Sequence, residues 1–216
     1  MLTIVRECGS EALTDAMAKG LADVLMPGDR VALHGDLGAG KTTFVRHLAA
    51  GMGISQGRVS SPTFVLINAY PVESGRFAGV TLVHADLYRL TSEDDLDATG
   101  LDHLLAGPNV FVVEWADRAP GVLGAVSASV RIEHTGPASR RMTIELPDAW
   151  ASRHAAALLV EREPRVCDVT GGVVSPTSAS YPFANERAKL ADLGRWLSGG
   201  YSVSRDAETG DGPSEF

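Results

Sequence analysis

Apolar residues recur every four positions at Leu13, Met17, Leu21 and Leu25, with Ala18, Ala22 and Val24 widening the stripe. That spacing occupies one face of a helix and predicts one from Ser10 to Met26, with Ser10 as N-cap and Pro27-Gly28 as its stop. Arg30-Val-Ala-Leu-His34 then reads as a short buried strand, and Thr43 to Ala50 as a helix halted by Gly51 and Gly53. Phe64 to Tyr70 is a second apolar run, and the turn composition of Glu73-Ser-Gly-Arg76 predicts a hairpin back into Val80 to His84. Ser92-Glu-Asp-Asp-Leu96 has the character of a helix start, and a short helix is expected over Leu101 to Leu105. Asn109-Val-Phe-Val-Val-Glu114 is continuously apolar up to its carboxylate, the signature of a central strand buried on both faces. Ser129 to Glu133 and Arg141 to Glu145 alternate with period two around a Gly-Pro turn, which predicts an antiparallel pair.

Residues 149–161 read as one more helix. Beyond Pro164 the pattern weakens: Gly171-Gly172, the serine-rich stretch from Ser175 to Ser180 and Pro182 have linker composition. Leu190, Leu193 and Leu197 give a modest helical period over residues 184–197, and the end from Arg205 is polar and acidic. The expected division is therefore a domain over residues 1–163 and a weakly ordered extension over residues 164–216. Strands alternating with helices define an α/β fold.

Between the first predicted strand and the helix after it lies Gly35-Asp-Leu-Gly-Ala-Gly-Lys41-Thr42, a full match to the phosphate-loop pattern G-x-x-x-x-G-K-[ST]. The strand–loop–helix context is the one that gives the pattern meaning. Glycines at 38 and 40 let consecutive N–H groups turn toward an anion, and the helix adds the positive end of its dipole. The loop residues Asp36, Leu37, Gly38, Ala39 and Gly40, with Lys41, Thr42 and Thr43, are the expected nucleotide-binding set. Lys41 would reach the β- and γ-phosphates, and the Thr42 hydroxyl would ligate Mg²⁺.

Composition narrows the class. The 216 residues are 44% hydrophobic and 21% charged, enough for an ordinary buried core. No apolar run reaches the roughly 18–20 residues of a membrane span, and the opening residues lack the plan of a secretory signal. A formal net charge of −8 argues against a self-sufficient nucleic-acid binder. Cys8 and Cys167 form no C-x-x-C pair, so free and mostly buried thiols in a reducing cytoplasm are expected. The six histidines show no metal-ligand spacing.

Turnover of a nucleotide needs a carboxylate for the metal or its water and a group that orients the attacking water. Glu114 ends one apolar strand, and Asp86 lies just past another. Ligands collect beyond such strand ends in α/β sheets. Glu114 is the first choice for the metal side, because Val110 to Val113 resembles the strand carrying that group in other phosphate-loop enzymes. Asp86 would serve the metal's outer shell or the water, although either acid alone could be a cap or a surface group. Thr63, after Pro62 in a polar loop, is suited to sensing a γ-phosphate, or simply to capping the next element. Arg89 could supply charge to the transition state, dock a partner or make a surface ion pair. Trp115 reads as core packing. With no Asn-Lys-x-Asp guanine signature, and Asp97-Ala-Thr-Gly100 only a loose D-x-x-G match, ATP is favoured over GTP.

In order along the chain, Gly35 to Thr43, Ser61-Pro-Thr-Phe64, His84-Ala-Asp-Leu-Tyr-Arg-Leu90, Glu114-Trp115 and Arg140-Arg141 before Met-Thr-Ile-Glu-Leu closely resemble the bacterial TsaE (YjeE) family. The resemblance covers about residues 3–147. It implies a P-loop NTPase fold with a central mixed parallel and antiparallel sheet flanked by helices, and Mg-ATP binding with slow hydrolysis. It also implies association with the TsaB–TsaD heterodimer, which attaches threonylcarbamoyl to adenosine 37 of tRNAs reading codons that begin with A. Contact with tRNA would then be indirect, through the complex. By the same likeness Thr42 and Glu114 are metal ligands, Asp86 and Trp115 matter for turnover, and Glu11 lies on the nucleotide's base side. The chain departs from the family at Ala85, where an aromatic is usual, after Glu114-Trp115, where a Leu-Pro is common, and beyond about residue 150, where nothing matches. Two other classes stay in view: a nucleotide-dependent switch or scaffold, and a small-molecule kinase, which the lack of an arginine-rich lid makes weak.

Overall fold

The computed structural model describes residues 1–90, 101–118, 124 and 126–198. Seven strands form one mixed sheet: β1 (Leu2–Cys8), β2 (Arg30–His34), β3 (Ile67–Pro71), β4 (Thr81–Asp86), β5 (Val110–Glu114), β6 (Ala128–His134) and β7 (Arg140–Leu146). Their order is β1-β7-β6-β2-β5-β4-β3. The central run β6-β2-β5-β4 is parallel, and β7, β1 and β3 join it antiparallel. The mixed sheet flanked by helices is thus the observed fold.

Alternate residues of each strand face opposite sides of a sheet. Val110 and Val112 enter the larger core with Leu82, Val130, Ile132, Met142 and Ile144. Phe111 and Val113 enter a second core with Ala32, Val83 and Ala85. Burial on both faces is why β5 is continuously apolar. On β6 and β7 only one face is buried, so Val130 and Ile132 alternate with exposed Arg131 and Glu133.

The larger core is covered by α1 (Glu11–Val24) and α2 (Lys41–Gly51). Ser10 caps α1, its hydroxyl accepting from the Leu13 N–H at 3.4 Å. The two helices approach so closely at Gly51 that a Cβ there would stand 2.8 Å from the Ala22 Cβ. On the second face, Leu104 and Leu105 of the short helix α3 (Leu101–Leu105) pack against the smaller core.

Two expectations are adjusted. The second apolar run does not start a strand at Phe64: the Pro62 carbonyl accepts from the Val65 and Leu66 N–H groups, Leu66 takes a left-handed φ of 63°, and β3 begins at Ile67. The helix expected over residues 149–161 is a 3₁₀ turn (Asp148–Ser152) followed by α4 (His154–Glu161). The helix start at Ser92 and the Asp97-Ala-Thr-Gly100 pattern lie outside the described residues.

Beyond Pro164, β8 (Arg165–Val166) and β9 (Val173–Val174) form a hairpin, and α5 (Glu186–Leu197) follows. Cys167, Val174 and Ala188 make a small core of their own. Both cysteines are free and buried. The segment lies against α1: Thr177 Oγ1 donates to Asp23 Oδ2 at 2.7 Å, and Ser175 and Pro176 sit over Gly20. On α5 the leucines at 190, 193 and 197 are exposed.

Candidate functional site

Parallel pairing of β4 with β5 sets Asp86 directly opposite Glu114 at the strands' carboxyl ends. Parallel pairing of β2 with β5 brings Leu33 opposite Glu114, so the chain leaving β2 enters the phosphate loop beside both carboxylates. Asp86 is the last residue of its strand rather than the first beyond it, because its N–H still donates to Leu66 O at 2.9 Å. A cavity of about 340 Å³ opens between these elements. It is lined by Leu37, Gly38, Gly40, Lys41, Thr42 and Thr43 of the loop and α2, by Asp86 and Glu114, by Thr63, Arg89 and Trp115, and by Ser61 and Tyr88.

The loop has the backbone such a site requires. Gly38 and Gly40 take φ of 78° and 106°, and Gly40 forms the N-cap of α2 without a side-chain bond. Gly35, at φ 139°, leaves no room for a side chain, since a Cβ would lie 2.3 Å from the Ile132 carbonyl oxygen. From the far side Arg140 braces the loop, its Nε donating to Ala39 O at 2.8 Å while Nη1 is held by Ser139 O at 2.9 Å.

Lys41 is 5% exposed, and its ammonium donates to Gly35 O at 2.7 Å and Asp36 O at 2.9 Å. Nζ also stands 3.9 Å above the Trp115 ring, a cation–π contact. Burial lowers the Lys41 pKa from its ordinary value, and the charges of Glu114, Asp86 and Asp36 work against that shift. Trp115 itself has a left-handed φ of 59°, and its N–H donates to Leu33 O at 3.2 Å. The half-buried indole therefore faces Lys41 on one side, packs against the smaller core as expected, and meets Tyr88 with ring centroids 5.1 Å apart.

Glu114 and Asp86 are each only 3% exposed. The Thr42 hydroxyl donates to Glu114 Oε1 at 2.8 Å, and His84 Nε2 lies 2.9 Å from the same oxygen. Asp86 is held differently: Thr63 Oγ1 donates to Oδ2, Ser61 Oγ donates to it at 3.4 Å, and the Tyr88 N–H donates to Oδ1 at 3.0 Å. The two carboxylates thus belong to different hydrogen-bonded groups, one tied to the phosphate loop and one to the 61–66 turn. Arg89 stacks over Phe64 at 4.3 Å while lining the cavity.

A second cavity, of about 250 Å³, borders the first at Gly40 and Thr43 and is lined by Ser10, Glu11, Thr14, Ala39, Ile132, Ala138 and Arg140. Glu11 lies there, across the loop from the carboxylates, with its carboxylate 3.3 Å from His47 Nε2. Of the residues singled out from the sequence, Asp36 lines neither cavity and contributes its carbonyl to Lys41. Ser61, Tyr88, His84 and Arg140 were not given site roles. All four lie inside the segments that carry the family resemblance, so position within a motif was the one available signal.

Taken together, sheet, loop and cavity define a phosphate-loop α/β protein. A family model described as threonylcarbamoyl adenosine biosynthesis protein TsaE matches residues 8–143. The chain is 39% identical over 130 residues to the TsaE protein of Bacillus subtilis strain 168, covering 60% of this chain and 77% of that one. It is 36% identical over 148 residues to that of Streptomyces coelicolor, covering 66% and 97%. The crystal structure of YdiB from Bacillus subtilis superposes with a TM-score of 0.56 at 30% identity, over 73% of this chain and 93% of that one. The chain belongs to the TsaE family.

Proposed function

We propose that this chain is a magnesium-dependent ATPase of tRNA threonylcarbamoyladenosine synthesis. It would act with a TsaB–TsaD heterodimer on adenosine 37 of tRNAs reading codons that begin with A, in the cytoplasm. The observation that carries the reading is the Thr42 hydroxyl donating to buried Glu114 at 2.8 Å beside a phosphate loop. In that arrangement the hydroxyl oxygen keeps its lone pairs for a cation while its proton is committed to the carboxylate. Hard oxygen donors from Thr42 and Glu114 suit Mg²⁺. Among the described residues no group of three or more His, Cys, Asp or Glu could hold a metal ion, so a cation here would share its remaining ligands with a bound phosphate and water. When bound, Mg²⁺ would neutralise charge developing on the transferred phosphoryl group.

The protein's own groups do the rest. Loop N–H groups and the amino end of α2 cradle the phosphates. Lys41 exchanges the Gly35 and Asp36 carbonyls for phosphate oxygens. Asp86, fixed by Thr63, Ser61 and the Tyr88 N–H, orients the attacking water and accepts its proton. Glu11, with Ser10 and Thr14, faces the nucleobase side, and Trp115 and Arg89 line the phosphate cavity. The extension beyond Pro164, described as far as residue 198, would act outside this machinery.

A second reading, a nucleotide-dependent switch or scaffold, is favoured by one detail. Thr63, which bonds Asp86, shares its turn with Phe64, 81% exposed, and with exposed Val65. A change at Asp86 would therefore move apolar side chains that a partner can meet.

Phosphate release is the test, measured for the full chain alone and with the heterodimer. Lys41→Ala should abolish nucleotide binding or turnover, since it removes the main cation on the phosphates. Full activity in that variant would refute the assignment. Partner docking that survives loss of hydrolysis would favour the switch.

A further inference from the structure

His84 stands within β4, opposite Val112 of β5 and two residues before the Asp86–Glu114 pair. Its side chain is 0% exposed. A carboxylate only accepts, so the 2.9 Å contact with Glu114 Oε1 requires the proton on Nε2, and His84 is the donor. The other ring nitrogen, Nδ1, is buried with no hydrogen-bond partner among the described residues. An unsatisfied buried polar atom is destabilising, and an apolar side chain would fill the same strand position without that cost. The ring caps no turn. Its one polar contact among the described residues is Glu114.

The same Oε1 also accepts from Thr42 at 2.8 Å. Two donors, one from β4 and one from α2, therefore converge on a single oxygen. That fixes the rotamer of the cavity-lining carboxylate and leaves its second oxygen without a hydrogen bond among the described residues. We propose that His84 is a positioning residue, whose Nε2–H holds Oε1 of Glu114 so that the other carboxylate oxygen stays available to a divalent cation or its water. The proposal rests on the Mg-ATP reading above. Unanchored, the carboxylate would rotate, and cation affinity would fall. The phosphate loop, built from N–H groups and Lys41, would still take nucleotide without metal.

The test uses the full chain with His84→Leu, which keeps volume and loses the N–H, and His84→Gln, whose amide can reach the place of Nε2. Mn²⁺ binding in the presence of a non-hydrolysable ATP analogue is read by electron paramagnetic resonance, and analogue affinity in EDTA by calorimetry. Loss of such an outer partner typically weakens metal binding 10–100-fold, so H84L should lose at least about tenfold in Mn²⁺ affinity, with H84Q within about threefold of wild type. Analogue affinity in EDTA should be the same in all three. Wild-type Mn²⁺ binding in H84L, or equal impairment of H84L and H84Q, would overturn the proposal, the second result marking a packing role. Should H84L not fold, His84→Asn, with its amide withdrawn from Glu114, takes its place under the same criteria. A wild-type chain that binds the analogue but no Mn²⁺ overturns the metal reading and this proposal together. Failure to bind the analogue at all refutes the ATPase reading itself.

Discussion

Gly35→Ala has two separable effects. The residue sits at φ 139°, and holding an L side chain in such a region costs about 1–3 kcal/mol. The new Cβ would also meet the Ile132 carbonyl oxygen at 2.3 Å, against an ordinary contact of about 3.5 Å. Ile132 lies in β6 between β2 and β7, paired with Met142, so its carbonyl cannot withdraw without disturbing the ladder, at about 1 kcal/mol per bond. The sum, about 2–4 kcal/mol, is a large share of the roughly 5–15 kcal/mol that holds a domain folded. A fall of about 5–15 °C in Tm follows for a chain of this size.

Relief by shifting the loop about 1 Å would displace the phosphate-binding N–H groups, and a misplacement of that size costs on the order of a hundredfold in function. Gly38→Ala is the control. Its φ is 78°, and an added Cβ meets nothing within 4 Å, so it carries about 1–2 kcal/mol of backbone strain and no collision. Urea unfolding without nucleotide, followed by far-UV circular dichroism, compares the two, and calorimetry with an ATP analogue reads the loop. Equal unfolding midpoints for the two variants, or undiminished analogue affinity in Gly35→Ala, would refute the steric reasoning.

Asp29→Ala strips the partner from Arg153, whose Nη1 donates to Asp29 Oδ2 at 2.7 Å and whose guanidinium stacks 3.7 Å over Trp150; a loss of about 2–3 kcal/mol is expected in chemical unfolding. The Cys167 thiol is drawn down to about 7, first by a hydrogen bond with the Thr170 side chain and then by backbone bonds from Ala184, Val169 and Thr170, against the effect of burial. Between pH 7 and the ordinary value of 9.0 the unfolded chain keeps a proton that the folded chain has released, so stability should rise across that window and be lost as pH falls through 7. Hydrogen exchange of the β8–β9 hairpin against pH tests this, and Cys167→Ser should flatten the slope. Truncation after Pro164 removes the Thr177–Asp23 bond and the packing of Pro176 over Gly20, and should lower stability by on the order of 1–3 kcal/mol while leaving nucleotide affinity unchanged.

What could be read from the chain followed the range of the forces involved. The α1 stripe, the apolar run of β5 and the alternation in β6 and β7 record burial directly, so these elements were legible. The phosphate loop was legible because its glycines answer to local backbone geometry. Phe64-Val65-Leu66 misled, because three apolar residues suit a strand equally well. Only the Pro62 carbonyl bonds and the left-handed Leu66 turn Phe64 and Val65 outward, while Leu66 packs against the smaller core. His84 read as one more member of a buried run, since its partner Glu114 is brought to it by strand pairing alone. The Arg140 brace on Ala39 is equally invisible without β7 folded beside the loop.

Strand order also bears on how the molecule is assembled. β1 pairs with β7 from Leu2↔Leu146 to Cys8↔Arg140, and β2 adjoins β6. A chain emerging from the ribosome therefore exposes its first strand long before a neighbour exists for it, and both the Ile132 wall and the Arg140 brace arrive well after the phosphate loop that they support. Such distant pairings slow folding and leave unpaired strand edges open to capture in the meantime. Nucleotide competence should accordingly not be acquired by the nascent polypeptide before β6 and β7 have emerged.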